Sequence, residues 1–255
     1  MMHLEGKRAF ITGAGGALGR ASSLMFAREG ASVAVVDINV DAADETVRLV
    51  TEQGGTAVAI VADVSIEAEV ASAVEAAVGA LGGLDILFNN AGIMPHQDKS
   101  FLDGDLELWR FITGINVHGT MLCSKYAVPH IAAAGGGAVV NMSSFLAVTG
   151  TTYPQDGYAA SKGAISSMTR SMAVQLGPQN IRVNAMAPGP ILTAHVEKFF
   201  PDPEARRIRL ARVPLGRFGA PDDAAGLACF LASDAASWIT GQVIELDGGI
   251  SNNYL

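Results

Sequence analysis

The chain has 255 residues, of which 49% are hydrophobic and 16% are charged, and its formal net charge is −8. This composition excludes a disordered chain, and no cluster of Lys and Arg indicates nucleic-acid binding. The two cysteines, Cys123 and Cys229, lie far apart, which predicts neither a zinc site nor a disulfide and fits a reducing compartment. With no signal peptide apparent and no apolar run near about 18 residues, we expect a cytoplasmic protein that does not enter a membrane.

Strand-like and helical segments alternate along the whole chain. The apolar run Arg8–Thr12 ends at a group of glycines, the amphipathic stretch Leu18–Glu29 follows it, and Ser32–Asp37 has the pattern of a second buried strand. Further strands are predicted at 56–62, 85–88, 137–142, 181–185 and 242–246, and further helices at 41–53, 67–81, 106–134, 157–176 and 222–232. The strands are nearly continuous in Val, Ile and Ala, which predicts a doubly wound parallel sheet of about seven strands with helices on both faces.

The organisation predicted is one α/β domain over residues 1–255, since no composition shift marks a linker. Residues 188–221 are rich in proline and have an irregular pattern that is too long for an ordinary connection. We therefore expect a substrate lid at 190–212.

The sequence Thr-Gly-Ala-Gly-Gly-Ala-Leu-Gly at 12–19 lies between the first strand and the first helix. Glycines let the backbone turn tightly and approach a pyrophosphate, and the helix N-terminus supplies hydrogen-bond donors. Asp37 ends the second strand, where a carboxylate can accept hydrogen bonds from a ribose diol and repels a 2′-phosphate. This arrangement predicts a dinucleotide site that favours NAD over NADP.

Tyr158 and Lys162 are four residues apart in a predicted helix, so both side chains lie on one face. A nearby cation favours the phenolate and lowers the tyrosine pKa, which suits a general acid/base. The same spacing also suits an exposed pair on a helix surface, so the remaining motifs decide between the two interpretations.

In order and spacing, these motifs resemble those of the short-chain dehydrogenase/reductase family, in its short one-domain branch, over essentially the whole chain. Further motifs that carry the resemblance are Asp63-Val64, Asn89-Asn90-Ala91-Gly92, Asn116, Ser144, Pro188-Gly189 with Thr193, and Asp247-Gly248-Gly249. The resemblance implies a Rossmann fold, an NAD-dependent oxidoreductase, and a homo-oligomer that is most often a tetramer.

The resemblance also implies the roles of individual residues. Asn116 would hold a proton-relay water, Ser144 would hydrogen-bond the substrate oxygen, and Tyr158 would be the acid/base. Lys162 would bind the nicotinamide ribose and lower the tyrosine pKa. Asp63 would contact the adenine ring of the cofactor. The full set of residues implied to contact the cofactor is Gly13, Gly15, Gly16, Leu18, Gly19, Asp37, Ile38, Asp63, Val64, Asn90, Ala91, Gly92, Tyr158, Lys162, Pro188, Gly189, Ile191 and Thr193.

Three positions depart from the family pattern. Because of Ala17, the glycine turn matches the TGxxGxxG string of the longer epimerase/dehydratase branch, although the chain is too short for the extra substrate domain of that branch. Ser144 lies one residue further from Tyr158 than is usual in the family, which leaves Ser143 as a competitor. Ser65, after Val64, is expected to cap the next helix.

Other polar and aromatic side chains are weaker candidates. His96 and His195 border the expected substrate pocket, whereas His118 and His130 have the pattern of packing or surface residues. No pair of histidines has metal-ligand spacing, so no metal is predicted. Four arginines in the expected lid either form a solvated helix face or recognise an anionic substrate; they are Arg206, Arg207, Arg209 and Arg212. Tyr153 and Gln155 are candidates to line the substrate pocket. Phe199 and Phe200 are expected to pack within the lid.

The predicted function is an NAD(H)-dependent oxidoreductase that interconverts a secondary alcohol, or a sugar-like hydroxyl, with the carbonyl by hydride transfer. One alternative is a redox-neutral epimerase or dehydratase that uses NAD internally. Another is a non-catalytic nucleotide-binding regulator. The substrate is a small molecule set by the loops at 93–105, 145–157 and 190–212, whose residues allow aliphatic, cyclic, aromatic or sugar alcohols.

Overall fold

The structure is a computed structural model that describes residues 3–197 and 202–253, except for the side chain of His195. The strands are β1 (Arg8–Thr12), β2 (Ser32–Asp37), β3 (Thr56–Val61), β4 (Ile86–Asn89), β5 (Gly137–Met142), β6 (Ile181–Pro188) and β7 (Val243–Leu246). The helices in the described ranges are α1 (Ala17–Arg28), α2 (Val40–Glu52), α3 (Glu67–Leu81), α4 (Leu106–Thr113), α5 (Gly119–Ala133), α6 (Asp156–Leu176), α7 (Ala194–Glu197), α8 (Pro203–Ala211) and α9 (Pro221–Ala232).

The strands form one seven-stranded sheet in the order β3-β2-β1-β4-β5-β6-β7, and every neighbouring pair is parallel. Ile11 of β1 is paired with Val35 of β2 on one side and with Phe88 of β4 on the other. The winding reverses between β1 and β4, which opens a crevice at the carboxyl ends of these two strands. The predicted doubly wound parallel sheet is confirmed.

The apolar core lies on both faces of the sheet. Because neighbouring strand residues point to opposite faces, Ile11 packs in one cluster with Phe26 and Phe88, while Phe10 packs in the other with Ile131. The rings of Phe26 and Phe88 stack with centroids 6.4 Å apart. Helices therefore cover both faces, as the uninterrupted apolar strands predict.

Two predicted segments differ from the structure. The helical region predicted at 106–134 is divided into α4 and α5 by one π-helical turn, Gly114–His118. The region 188–221, predicted to be irregular, contains α7 and α8, and β6 extends to Pro188. The physical reason is local: Asp202 caps α8 through the amides of the first turn, and proline at the first helical position starts a helix rather than breaking it.

The expectation that Ser65 caps the following helix is wrong. Helix α3 has Ile66 at its N-cap, without a side-chain hydrogen bond, whereas the Ser65 hydroxyl donates to Oδ1 of Asp63 at 2.7 Å. The Ser65 hydroxyl therefore bonds to the carboxylate of Asp63 instead of to an amide of α3.

No helix in residues 3–197 or 202–253 combines the length and apolar character that crossing a bilayer requires.

Candidate active site

The glycine turn between β1 and α1 is packed too closely for side chains at Gly13, Gly15 and Gly19. Gly13 has φ +61°, and a Cβ there would lie 2.9 Å from Cα of Ala91. A Cβ on Gly19 would lie 2.3 Å from the carbonyl oxygen of Gly13. These contacts bring the backbones after β1 and β4 together at the crevice.

The backbone amides at the N-terminus of helix α1 are available to bind an anion. Its N-cap is Gly16, which makes no side-chain cap, and its first turn contains no acidic residue. A Cβ on Gly16 would make only an ordinary contact at 3.4 Å. A helix N-terminus without an acidic cap, beside a tight glycine turn, fits the pyrophosphate of a dinucleotide. Leu18 packs against the core beneath this turn.

Asp37 ends β2 beside the glycine turn, where its Oδ2 accepts the Gly15 amide at 2.9 Å and its Oδ1 accepts the Asn39 amide at 2.9 Å. The carboxylate is partly buried and thereby fixed at the rim of the crevice. Next to it, the side chain of Ile38 is 66% exposed. The pair offers a hydrogen-bond acceptor and an apolar surface, the two features that an adenosine half requires.

The backbone after β4 is tied to the glycine turn by Thr12 and Asn90. The Thr12 hydroxyl accepts the amides of Asn90 at 3.1 Å and Ala91 at 3.0 Å. In return, Nδ2 of Asn90 donates to the carbonyls of Thr12 at 2.8 Å and Gly13 at 3.1 Å. Asn90 and Ala91 therefore shape the crevice through the backbone.

Asn116 lies in the π-helical turn and is fully buried. Its Oδ1 accepts the Ile93 amide at 2.8 Å, and its Nδ2 donates to the Ile93 carbonyl at 3.1 Å and to Oγ of Ser161 at 2.9 Å. A Cβ on Gly92 would lie 3.2 Å from Oδ1 of Asn116 and 3.3 Å from Nζ of Lys162. The amide side chain thus fixes the loop after β4 against α6. Single π-helical turns of this kind often mark functional sites.

Tyr158 and Lys162 lie one turn apart in α6, as their spacing predicts. Lys162 is only 2% exposed, which excludes the exposed surface pair, and its Nζ donates to the Met142 carbonyl at 2.7 Å. Nζ also lies 5.5 Å from the centre of the Tyr158 ring. Burial lowers the pKa of Lys162 to about 7.

The pKa of Tyr158 lies above its ordinary value, so the lowering expected from Lys162 stays a prediction. Burial raises the pKa of Tyr158, and the neighbouring Ser144 side chain opposes that effect only in part. The loss of hydration disfavours the phenolate and outweighs the favourable contacts.

The structure distinguishes the two neighbouring serines. Oγ of Ser143 donates to the Lys162 carbonyl at 3.1 Å and shares a 2.7 Å hydrogen bond with Oγ of Ser166, so it is directed into the packing of α6. Oγ of Ser144 accepts the Leu146 amide at 3.2 Å, and the Ser144 side chain lies close enough to the Tyr158 phenol to lower its pKa. Of the two, Ser144 is the hydroxyl that lies with the phenol.

The remaining predicted cofactor positions lie after β3 and β6. Asp63 accepts the Ser65 amide at 2.8 Å, and Val64 is buried against Gly119. Pro188 ends β6. A Cβ on Gly189 would lie 2.6 Å from Cβ of Asp247. Further along the chain, Ile191 is buried and forms an isolated β-bridge with Gly219. Oγ1 of Thr193 accepts the Val196 amide at 3.2 Å.

Several of the weaker candidates have other partners. His130 contacts Glu75 at 3.1 Å, and Arg207 is paired with Glu204 at 2.6 Å on an exposed face of α8. His118 and His96 are exposed. Among the side chains that the structure describes, no three His, Cys, Asp or Glu residues come together as metal ligands do. Phe199, Phe200 and the side chain of His195 lie outside the described residues.

Tyr153 and Gln155, the two candidates to line the pocket, differ in exposure. Tyr153 is largely exposed, whereas Gln155 is buried at the start of α6. Arg206 lies over the Phe218 ring at 5.5 Å.

Sequence reasoning missed Asp98. This buried carboxylate lies in the loop between β4 and α4 and accepts the backbone amides of Gly157 at 3.2 Å and Tyr158 at 2.8 Å. A cap supplied by a distant loop leaves no local pattern, so only the fold reveals it.

Comparison with known proteins agrees with this geometry. A family profile described as enoyl-(acyl carrier protein) reductase matches residues 13–251. The 3-oxoacyl-(acyl-carrier-protein) reductase FabG of Thermotoga maritima is 40% identical over 98% of this chain and 99% of its own. The cyclohexanol dehydrogenase of an Acinetobacter species is 37% identical over 96% of this chain and 95% of its own.

A solved structure adds a bound cofactor. A 7α-hydroxysteroid dehydrogenase complexed with NADH and 7-oxo glycochenodeoxycholic acid superposes with a TM-score of 0.92, at 39% identity, over 97% of this chain and 95% of that chain. Full-length similarity at this identity shows the family, and its named members are oxidoreductases. The chain therefore belongs to the short-chain dehydrogenase/reductase family and is an enzyme that acts on CH–OH groups.

Proposed function

We propose that the enzyme interconverts a secondary alcohol, or a sugar-like hydroxyl, with the corresponding carbonyl and uses NAD(H) as its cofactor. The observation that carries this proposal is the buried Lys162, whose Nζ lies 5.5 Å from the centre of the Tyr158 ring, with the Ser144 side chain close enough to the phenol to lower its pKa. A phenol and a hydroxyl beside it can hold one substrate oxygen, and the phenol can exchange a proton with that oxygen.

Each side chain has one task in this mechanism. In alcohol oxidation, the Tyr158 phenolate accepts the proton of the substrate hydroxyl, while the Ser144 hydroxyl donates a hydrogen bond to the same oxygen. In carbonyl reduction, the Tyr158 phenol returns that proton as negative charge develops on the oxygen. Lys162 as a cation favours the phenolate. NAD(H), when bound, accepts or supplies the hydride at the carbinol carbon.

Asn116 contributes in this mechanism by holding the backbone of Ile93, and so the loop after β4, in place. The resemblance to the family supports a second task, a relay water at the π-helical turn.

The preference for NAD over NADP is supported by Asp37. Its carboxylate is already held at the rim by two backbone amides, so a 2′-phosphate there would meet a fixed negative charge. The similar 7α-hydroxysteroid dehydrogenase structure contains NADH, which agrees with this preference. The residues proposed to contact the cofactor are those of the glycine turn and the strand ends named above, including Leu18, Ile38, Asp63, Val64, Pro188, Ile191 and Thr193.

The test is a panel of secondary alcohols and their ketones with purified enzyme, followed by NADH absorbance. Cyclohexanol, a 7α-hydroxysteroid, a 3-hydroxyacyl thioester and a sugar alcohol cover the chemical range of the relatives and of the loops. We expect NADH to form with at least one alcohol and to disappear with its ketone. Turnover of a substrate without any net change in NADH would instead establish the redox-neutral epimerase or dehydratase.

We propose that residues 190–212 form a lid over the substrate within the single domain. The start of this segment is tied to the chain that follows its end, since the Leu192 amide donates to the Gly219 carbonyl at 2.8 Å and the Gly219 amide donates to the Pro190 carbonyl at 3.1 Å. Limited proteolysis with and without NADH and ketone tests the proposal. Protection confined to this segment supports it, and an unchanged cleavage pattern contradicts it.

We also propose a homo-oligomer, with a tetramer favoured. Large apolar side chains are exposed on four helices and before β7, where a second copy would cover them; they are Phe111, Met121, Val174, Phe230 and Trp238. Light scattering on the purified protein tests this proposal, and a monomer at micromolar concentration contradicts it.

We propose that the protein is located in the cytoplasm. Cys123 and Cys229 are both free and buried, which agrees with a reducing compartment.

A further inference from the structure

Helix α6, which carries Tyr158, is capped by a different part of the chain. Its own N-cap residue, Gln155, makes no side-chain hydrogen bond to the first turn. Instead, Oδ1 of Asp98 accepts the Gly157 amide at 3.2 Å and Oδ2 accepts the Tyr158 amide at 2.8 Å. One carboxylate therefore satisfies two of the four amides that a helix start leaves open.

Asp98 is held in a confined space. It is only 4% exposed, and a Cβ on Gly157 would lie 3.0 Å from its Oδ1 and 3.3 Å from the Trp109 ring. A buried carboxylate is costly unless hydrogen bonds compensate it, and here the compensation comes from the backbone of the acid/base residue itself. The positive end of the α6 dipole adds to that compensation.

A second pair of contacts fixes the same two segments. The Asp156 carboxylate accepts the Phe101 amide at 2.8 Å, and the Asp156 amide donates to the Lys99 carbonyl at 3.4 Å. Residues 98–101 are thus tied along the first turn of α6. They belong to the loop 93–105, which is expected to contact substrate, so the position of that loop and the position of Tyr158 are coupled.

We propose that Asp98 is a positioning residue for Tyr158, an inference that rests on the proposed acid/base role of this tyrosine. By holding the backbone amide of Tyr158, Asp98 fixes where the phenol meets Ser144 and the substrate oxygen. Displacing a reacting group by about 1 Å can cost roughly a hundredfold in rate. Asparagine retains one acceptor oxygen and the shape of aspartate, so it is expected to replace Asp98 in part.

The experiment compares Asp98→Ala and Asp98→Asn with wild type, with a panel alcohol that the wild type oxidises. We expect kcat to fall about 10- to 100-fold in Asp98→Ala and to lie between that value and wild type in Asp98→Asn. The dissociation constant for NADH should stay within about twofold, because the glycine turn and Asp37 are untouched.

Asp85→Asn is the matched control. Asp85 also accepts a backbone amide, that of Arg8 at 2.9 Å, but it lies at the amino end of β4, whereas the loop that carries Asp98 follows the carboxyl end of that strand. We expect this variant to lower the melting temperature and to leave kcat within about twofold of wild type.

Two outcomes would overturn the proposal, and they are distinguishable. If the wild type is active and folded Asp98→Ala or Asp98→Asn matches its kcat, Asp98 does not position Tyr158. Where Asp98→Ala fails to fold, the folded Asp98→Asn variant decides by the same criterion. If the wild type oxidises no alcohol and reduces no ketone, the proposed function fails, and the role of Asp98 fails with it.

Discussion

Nζ of Lys162 lies 5.5 Å from the centre of the Tyr158 ring and donates to the Met142 carbonyl at 2.7 Å. Burial acts on both groups in the same sense, because it disfavours the ammonium and the phenolate alike. The pKa of Lys162 falls to about 7, and the pKa of Tyr158 rises above its ordinary value. The charged pair that alcohol oxidation requires is therefore formed against the cost of burial.

Lys162→Met should change how stability depends on pH. The pKa of Lys162 is about 7 in the folded protein and near 10.5 when exposed, so between these values the unfolded chain holds a proton that the folded chain has lost. Stability due to this group therefore rises with pH across that window. We expect the free energy of unfolding of the methionine variant to exceed that of wild type most near pH 7, and this difference to disappear toward about pH 10. Chemical unfolding at several pH values measures it, and a difference independent of pH would contradict it.

Ser144→Ala and Ser143→Ala should have different effects. Loss of the Ser144 hydroxyl removes one donor for the substrate oxygen, and we expect kcat to fall about a hundredfold. Ser143 is bonded to Ser166 and to the Lys162 carbonyl, so its replacement should lower the melting temperature and change kcat far less. Steady-state kinetics and thermal unfolding of both variants check this. The opposite ranking of kcat would assign the role to Ser143.

Two alanine substitutions separate what the fold needs from what the cofactor needs. A Cβ on Gly19 would lie 2.3 Å from the Gly13 carbonyl oxygen, so Gly19→Ala should destabilise the protein by about 1–3 kcal/mol. Gly16 has space for a methyl group, with its nearest contact at 3.4 Å. Gly16→Ala should therefore stay folded but bind NADH about tenfold more weakly, because the methyl group would crowd the pyrophosphate in the proposed cofactor site. Thermal unfolding and NADH titration measure both effects. Unchanged NADH binding in Gly16→Ala would sink this assignment.

Asp37→Ala should change the choice of cofactor. Its carboxylate is fixed by the amides of Gly15 and Asn39, so removing it deletes both an acceptor and a negative charge at the rim. We expect kcat/KM for NAD to fall about tenfold and the ratio of NAD to NADP activity to fall further, because the repulsion of a 2′-phosphate is relieved. Activity with each cofactor at matched substrate measures that ratio. An unchanged ratio means that another group selects the cofactor.

The sequence predicts the sheet and the crevice well because both depend on local patterns. The glycine turn, the apolar strands and the Tyr158–Lys162 spacing each lie within one segment, and the parallel order brings their ends together. The sequence pattern does not predict α7 and α8, because proline usually breaks a helix, whereas Pro203 follows the cap Asp202 and starts α8.

What depends on contacts between distant segments could not be predicted. Asp98 and Tyr158 are 60 residues apart in the chain, and their hydrogen bond exists only after the sheet is assembled. The direction of the Tyr158 pKa shift likewise depends on burial, which the Tyr–Lys spacing does not contain. The choice between Ser143 and Ser144 required the partners of each hydroxyl.

The most direct test of the central claim is Tyr158→Phe, assayed with an alcohol that the wild type oxidises. Phenylalanine keeps the ring and removes only the hydroxyl that exchanges the proton. We expect kcat to fall at least about a thousandfold while the dissociation constant for NADH stays within a few-fold of wild type. Turnover by Tyr158→Phe at a rate near that of wild type would contradict the assignment of Tyr158 as the acid/base.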